Sequence, residues 1–293
     1  MRPGRWHLAL LAVLAGLGCP PASAQPASPQ PVVPQPAPNA APAERTPVDL
    51  ELVLAVDVSR SMDPDEQALQ RAGYVAAFRD REVLRAIQSG PIGRIAVSYV
   101  EWAGAGLQQV ILPWTLVQDA ASGERVARQL AAAPFDARRR TSISDALLFS
   151  AAMFANTGFS GARKVIDISG DGPNNQGVSI VPARDRVLEQ GIIINGLPIM
   201  LKQRQASGFF DVADLDLYYE DCVIGGFGAF IVTVVDPSGF VGAIRRKLIL
   251  EIAGAQPRIV PARATPAQAS RAQPATDCLA GEKMWDRWMQ GLE

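Results

Sequence analysis

Between residues 48 and 254 short apolar runs alternate with stretches of helical periodicity, and this alternation constrains the fold more than any other feature of the chain. The strand candidates are Leu50 to Val56, Arg94 to Glu101, Leu107 to Trp114, Lys164 to Ser169, Ile192 to Leu197 and Phe230 to Val235. Several are apolar on both faces, which a strand needs when helices cover both sides of its sheet. Helices are predicted over residues 119–132, 142–156, 182–190 and 237–253. Another starts where Asp63 is the cap, Pro64 the first helical residue and Glu66 the reciprocal capping partner. Leu69, Ala72, Ala76, Val83 and Ile87 then read as its inward stripe. Two consecutive strands near residues 94–114 supply one antiparallel pair. The expected fold is therefore α/β, a doubly wound, mostly parallel central sheet of about six strands with helices on both faces. Ligands of such sheets sit beyond the carboxyl ends of the strands.

That end of the first strand is chemically unusual. In "LELVLAVDVSRSMD" the apolar run gives way to Asp57, Ser59 and Ser61, and alternate residues of an extended chain point the same way. A buried carboxylate is costly unless something pairs with it. Two further segments offer groups at the same end of the sheet: "RRRTSISDAL" opens a helix with Thr141, and "VIDISGDGPNN" ends a strand with Asp171. Two carboxylates and three hydroxyls make an oxygen-only donor set suited to a hard divalent cation. Mg²⁺ fits best, with Mn²⁺ or Ca²⁺ as alternatives, and water or an outside ligand would complete the shell. Ser144 and Asp145 read as first-turn helix residues. Asn174 and Asn175 read as loop formers that could also orient a metal-bound water. Glu101 and Trp102 border the same end of the sheet, with core packing as the competing role for the tryptophan.

The flanks read differently. Arg2 and Arg5, the apolar run Trp6 to Gly18 and the small residues Ala22 and Ala24 form a secretory signal peptide over residues 1–24. Cys19 in "GLGC" leaves a lipidated alternative open. Residues 25–47 and 255–275 are Pro- and Ala-rich linkers. Residues 276–293 form an amphipathic helix with Trp285, Trp288, Met289 and Leu292 on one face. Its charges show no basic bias, which argues against a membrane-surface role; docking on the domain or binding a partner are the two readings.

Signal-peptide removal leaves 26 basic against 29 acidic residues, a net charge of −3, which disfavours nucleic acid. It also removes His7, the only histidine. A Ser-His-Asp triad, a Cys-His pair and a histidine-bound zinc are thereby excluded. No later run is long and uncharged enough to span a bilayer, so the mature chain is expected to remain uninserted in a periplasmic or secreted setting. Cys222 and Cys278 then face oxidising conditions, as a disulfide or with Cys222 as a buried thiol.

The order Asp57-x-Ser59-x-Ser61, then Thr141 five residues before Ala146-Leu147, then Asp171-Gly172 after an apolar strand resembles the von Willebrand factor A domain and its metal-ion-dependent adhesion site. "YYEDCVIGGFGAFIVTV" followed by "IRRKLILEIAG" is further similar to a bacterial secreted subfamily of undefined role. The resemblance implies that Ser59, Ser61 and Thr141 bind the ion through hydroxyls and Asp57 and Asp171 directly or through water. It also implies that the helix over residues 237–253 shifts with the state of the site. Arg138, Arg139 and Arg140 stand where the family often has glycines, as a solvated turn or a guide for an acidic partner. The resulting expectation is a non-enzymatic binding domain whose ion accepts a carboxylate from a partner protein. A metal-assisted hydrolase or phosphotransferase lacks a second acid two residues after Asp57, a positioned lysine and a histidine base. A periplasmic small-molecule receptor would need a second lobe.

Overall fold

In a computed structural model of the chain, the described residues are 45–134, 137–201, 214–254 and 276–291. The signal peptide, nearly all of the first linker, the second linker and Leu292 lie outside them. The sheet consists of β1 (Thr46–Asp57), β2 (Ile95–Trp102), β3 (Gln108–Val117), β4 (Phe159–Gly170) and β5 (Ile193–Pro198), in the spatial order β3-β2-β1-β4-β5. All neighbours are parallel except β2 and β3. β1 starts two residues before the expected domain edge, with Thr46 and Pro47 already paired to β4.

The sixth candidate, Phe230 to Val235, runs beside β5 through isolated bridges only, at Gly196–Ile231 and Ile199–Val234. Pro198 is the reason. The hydrogen bonds Gly196 N to Phe230 O, Val232 N to Gly196 O and Val234 N to Pro198 O form in sequence, but the rung that residue 198 would donate is missing because proline has no N–H. The sheet therefore has five strands among the described residues, and its edge is only loosely extended by the sixth segment.

The helices are α1 (Pro64–Arg79), α2 (Arg81–Gln88), α3 (Ala120–Ala132), α4 (Ile143–Ala152), α5 (Ile180–Leu188), α6 (Leu215–Tyr218, continued by a π turn to Val223), α7 (Phe240–Ala253) and α8 (Ala280–Met289). Side chains alternate along β1: Leu50, Leu52, Leu54 and Val56 join one core with Tyr74, Phe78, Val126 and Ile244, while Val53 and Ala55 join the other with Ile143, Leu147 and Tyr219. Helices α1, α2, α3 and α7 cover the first face, and α4, α5 and α6 the second.

The capping box at the start of α1 is present in both halves, Glu66 N donating to Asp63 Oδ1 at 2.8 Å and Asp63 N to Glu66 Oε2 at 2.9 Å. The stripe expected along that helix is met only at Leu69, which packs against the core. Ala72 and Ala76 are exposed, and the buried face carries Gln67, Gln70, Arg71, Tyr74, Ala77 and Phe78. Polar residues are tolerated there because each is paired: Gln67 donates to the Met62 carbonyl at 3.0 Å, Gln70 to Ser169 Oγ at 2.8 Å, and Arg71 forms a buried ion pair with Glu101. The chain also breaks at Asp80, which ends α1 and caps α2 through the Glu82 and Val83 amides, so Val83 and Ile87 belong to a separate helix.

Candidate metal centre

β1 connects toward β2 and β4 toward β5, so the carboxyl ends of the adjacent β1 and β4 form the topological switch point of the sheet. The strands deliver Asp57 and Asp171 to this place. Asp57 is the last residue of β1 and Asp171 follows Gly170, the last of β4. After Asp57 the chain stays extended long enough for Val58 N to bond Trp102 O at 2.9 Å and for Arg138 N to bond Val58 O at 3.0 Å, which brings the Arg138–Thr141 loop alongside Ser59.

The groups are linked in a chain. Ser59 N donates to Asp57 Oδ1 at 2.7 Å, the Ser59 and Ser61 hydroxyls are 2.8 Å apart, and Ser61 Oγ donates to Asp171 Oδ1 at 2.6 Å. Ser59, Ser61, Thr141 and Asp171 line one cavity of about 430 Å³ together with Arg60, Arg139, Arg140 and Asn175. Asp57 sits behind it, fully buried. The structure thus gathers all five candidate ligands at one end of the sheet.

Thr141 is held by main-chain contacts. Its N–H donates to Asn175 Oδ1 at 3.0 Å, and Asn175 N donates back to the Thr141 carbonyl at 2.9 Å. Asn174 Oδ1 accepts from Ser144 N at 3.0 Å. The two asparagines thus clamp the loop after β4 to the start of α4. Ser142 caps α4, and Asp145 accepts from Gly106 N at 3.1 Å, so Ser144 and Asp145 serve the helix start as expected. Trp102 is a core residue, and Glu101 is engaged by Arg71.

The electrostatics set Asp57 apart from the other members of the cluster. Burial pushes the Asp57 carboxyl well above its ordinary range, the nearby Asp171 charge pushes it further, and hydrogen bonds from Ser59 and the Asp171 backbone offset only part of this. Its second oxygen, Oδ2, is buried without a hydrogen-bond partner. Tyr219 Oη is likewise buried without a partner, and its ionisation is opposed by burial and then by Asp57. A Cβ at Gly170 would lie 3.0 Å from Asp57 Oδ2 and 2.9 Å from Tyr219 Oη, so the backbone here leaves room only for glycine. An orphaned carboxylate oxygen beside a second carboxylate and three hydroxyls fits a hard cation. Among the described residues no three His, Cys, Asp or Glu side chains cluster as a metal site.

One wall of the cavity was not legible as part of the site. Trp285, Trp288 and Met289 of α8 line it, and the Arg140 guanidinium lies 3.7 Å from the centre of the Trp285 ring. Arg140 adopts φ 71°, the left-handed region that glycine occupies most easily. α8 is tied down by the Cys222–Cys278 disulfide, with Cα atoms 5.5 Å apart. Its Glu282 Oε1 accepts from Asn174 Nδ2 at 2.8 Å, and Gly281 packs directly on the Asn174 backbone. Docking on the domain is therefore the reading of the two that the structure bears out, but the docking point is the rim of the candidate site.

A family model described as "Protein of unknown function (DUF1194)" matches residues 47–256. No curated protein matches the chain. Similar solved structures include proximal thread matrix protein 1 from the mussel byssus, at 13% identity and a TM-score of 0.52 over 71% of this chain and 48% of that one. The same mussel protein with a zinc-occupied MIDAS motif aligns at 15% identity and a TM-score of 0.50 over 70% of this chain and 46% of that one. The pilus adhesin SpaC from Lactobacillus rhamnosus GG aligns at 13% identity and a TM-score of 0.50 over 71% of this chain and 31% of that one. The match spans about half the length of the byssus protein and under a third of the adhesin. The likeness is one of fold, and the fold is of the von Willebrand factor A type.

Proposed function

Because the chain belongs to the DUF1194 family, whose description assigns no role, we propose from the site itself that it is a divalent-metal-dependent protein-binding domain that works outside the cytoplasm. The observation that carries this reading is Asp57 Oδ2: fully buried, without a hydrogen-bond partner, and backed by Asp171. In the proposed site Ser59, Ser61 and Thr141 hold the ion through hydroxyls, with Asp57 and Asp171 supplying the compensating charge. Mg²⁺ is the ion best matched to that set. When bound, the ion supplies a Lewis-acid position for one more anionic oxygen, which a partner's Asp or Glu side chain provides. Arg60, Arg139 and Arg140 at the rim favour approach of an acidic surface.

The domain acts by binding and not by turnover. No histidine or lysine lines the cavity, the residue two positions after Asp57 is Ser59, and the one carboxylate in the lining, Asp171, accepts from Ser61 and is assigned to the ion. The adhesin and matrix-protein relatives by fold, together with the disulfide, support a role in protein contacts in an oxidising compartment. No helix among the described residues is long and apolar enough to cross a membrane.

The direct test is capture of partners from envelope extract on the immobilised mature chain, in Mg²⁺ and in chelator, with Asp57→Ala as the control. Proteins retained only by the wild-type chain and only in Mg²⁺ are expected. Retention unchanged by chelator and by Asp57→Ala would sink the metal-dependent reading.

A further inference from the structure

The candidate ion ligands supply only part of the cavity lining; its large apolar side chains come from the far end of the chain. Trp285, Trp288 and Met289 fall at i, i+3 and i+4 of α8, which places them on one face, and all three line the cavity. The charged residues of the helix do not: neither Glu282 nor Asp286 contributes to the lining. Glu282 is instead turned to Asn174, half-buried, and burial raises its pKa. α8 therefore brings no carboxylate to Ser59, Ser61 and Thr141 and does not imitate a partner's acid. What it brings is a surface, with Trp288 46% and Met289 63% exposed beside a site otherwise built of hydroxyls, carboxylates and arginines.

That surface is held in place. The Cys222–Cys278 bond, the Asn174–Glu282 hydrogen bond and the close packing of Gly281 on Asn174 fix the start of the helix, and Arg140 over Trp285 fixes its middle. Asn174 and Asn175 also clamp the segment that carries Thr141. The wall and the candidate ligands thus rest on the same loop. A cavity of about 430 Å³ has room for more than a carboxylate, being over ten times a water's share of the liquid, roughly 30 Å³. Exposed Trp and Met next to a charged centre are also the residue types that dominate recognition surfaces, Trp as a rigid anchor and Met as an adaptable one.

We infer that α8 forms a specificity wall, so that the partner is recognised through a two-part element: a carboxylate side chain and, within two residues of it, a large apolar side chain that packs on Trp285, Trp288 and Met289. The carboxylate half rests on the function proposed above; the apolar half is carried by the lining of the cavity alone.

The test uses the mature chain, in Mg²⁺, to select from a displayed peptide library with one fixed Asp flanked by four random positions on each side. Wild-type protein is expected to enrich aromatic or large aliphatic residues within two positions of the Asp. The double variant Trp288→Ala, Met289→Ala changes only exposed side chains. It should keep its dependence on Asp and Mg²⁺, lose the apolar enrichment, and bind the best wild-type peptide about thirtyfold more weakly, the scale of losing a tryptophan hot spot. An unchanged melting temperature and unchanged stabilisation by Mg²⁺ alone show that the variant remains folded with its site intact.

Peptides that depend on Asp and Mg²⁺ but show no apolar bias overturn the wall and leave the proposed function standing. Tighter binding by the double variant overturns it as well, because α8 would then be a lid. Recovery no better than with Asp57→Ala, or equal in chelator, overturns the metal-dependent reading and the wall with it.

Discussion

Asp57 and Asp167 are both fully buried carboxylates on adjacent strands of one sheet, and the fold treats them oppositely. Asp167, on the α7 side of β4, has its cation supplied from within: Lys247 lies 2.7 Å away, itself buried, and also pairs with Glu251 one turn along α7. Asn195 adds a hydrogen bond to Glu251 at 3.1 Å. Asp57, on the other face of β1, has hydroxyls and a second carboxylate where Asp167 has an ammonium. Charge burial is tolerated in the first case because it is balanced locally; in the second the neighbours are hydroxyls and a carboxylate, so a proton or a cation from outside has to offset it. The contrast separates a structural ion cluster from a candidate binding site more sharply than burial or pKa direction alone, since both carboxyls are shifted upward by desolvation.

The largest expected effect breaks the internal cluster. Lys247→Met leaves Asp167 and Glu251 as uncompensated buried charges and should cost about 3–5 kcal/mol in urea unfolding, with no dependence on Mg²⁺. The second effect belongs to the open site. Mg²⁺ at about a hundred times its dissociation constant should stabilise the wild-type chain by about 2.7 kcal/mol. Asp57→Asn should abolish that gain while leaving the chelator-treated protein as stable as wild type or more so. A thermal-shift series in Mg²⁺ and chelator reads both, and an equal Mg²⁺ response from the two proteins would end the comparison.

A smaller effect concerns pH. Burial, then the Asp167 charge, raise the Glu251 carboxyl from its ordinary 4.5 to about 7, against the pull of Lys247 and Asn195. The folded state therefore holds this proton more tightly than the unfolded chain. Its contribution is complete below the unfolded value and is lost as pH rises through about 7. Unfolding free energy measured in chelator between about pH 5 and 8 should decline with pH, and Glu251→Gln should flatten the decline. The smallest effect is at Arg140. Arg140→Gly relieves a left-handed backbone worth about 1 kcal/mol but removes the contact with Trp285, worth about 0.5–1 kcal/mol. Stability should hardly move, while α8 becomes more open to hydrogen exchange.

The sequence carried the parts of this picture that depend on local pattern. The strand before Asp57 and the capping box at Asp63 and Glu66 are each written within a few residues, and the five oxygen donors fall in three short segments, each at the end of a strand or the start of a helix. What it did not carry depends on distant partners. Gln70 and Arg71 look like surface residues until Ser169 and Glu101 arrive from other strands, so local pattern alone points the inward face of α1 to Ala72 and Ala76 instead. The Lys247 cluster joins β4, β5 and α7, whose residues are 28 to 84 positions apart in sequence. Pro198 was visible, yet its effect required knowing that its own rung faces Phe230–Val235. The place of α8 was hidden for a related reason: a pair of cysteines says that two segments meet, not which surface the second segment covers.

That cysteine pair has a consequence for where the protein can be selective. The groups proposed to hold the ion lie where β1 and β4 end and just before α4 and do not need the bond, whereas the apolar wall is secured in part by it. On the proposed reading, a chain with this bond reduced keeps its ion-binding residues but holds the wall only through Asn174 and Arg140, so oxidation would sharpen its discrimination among acidic surfaces.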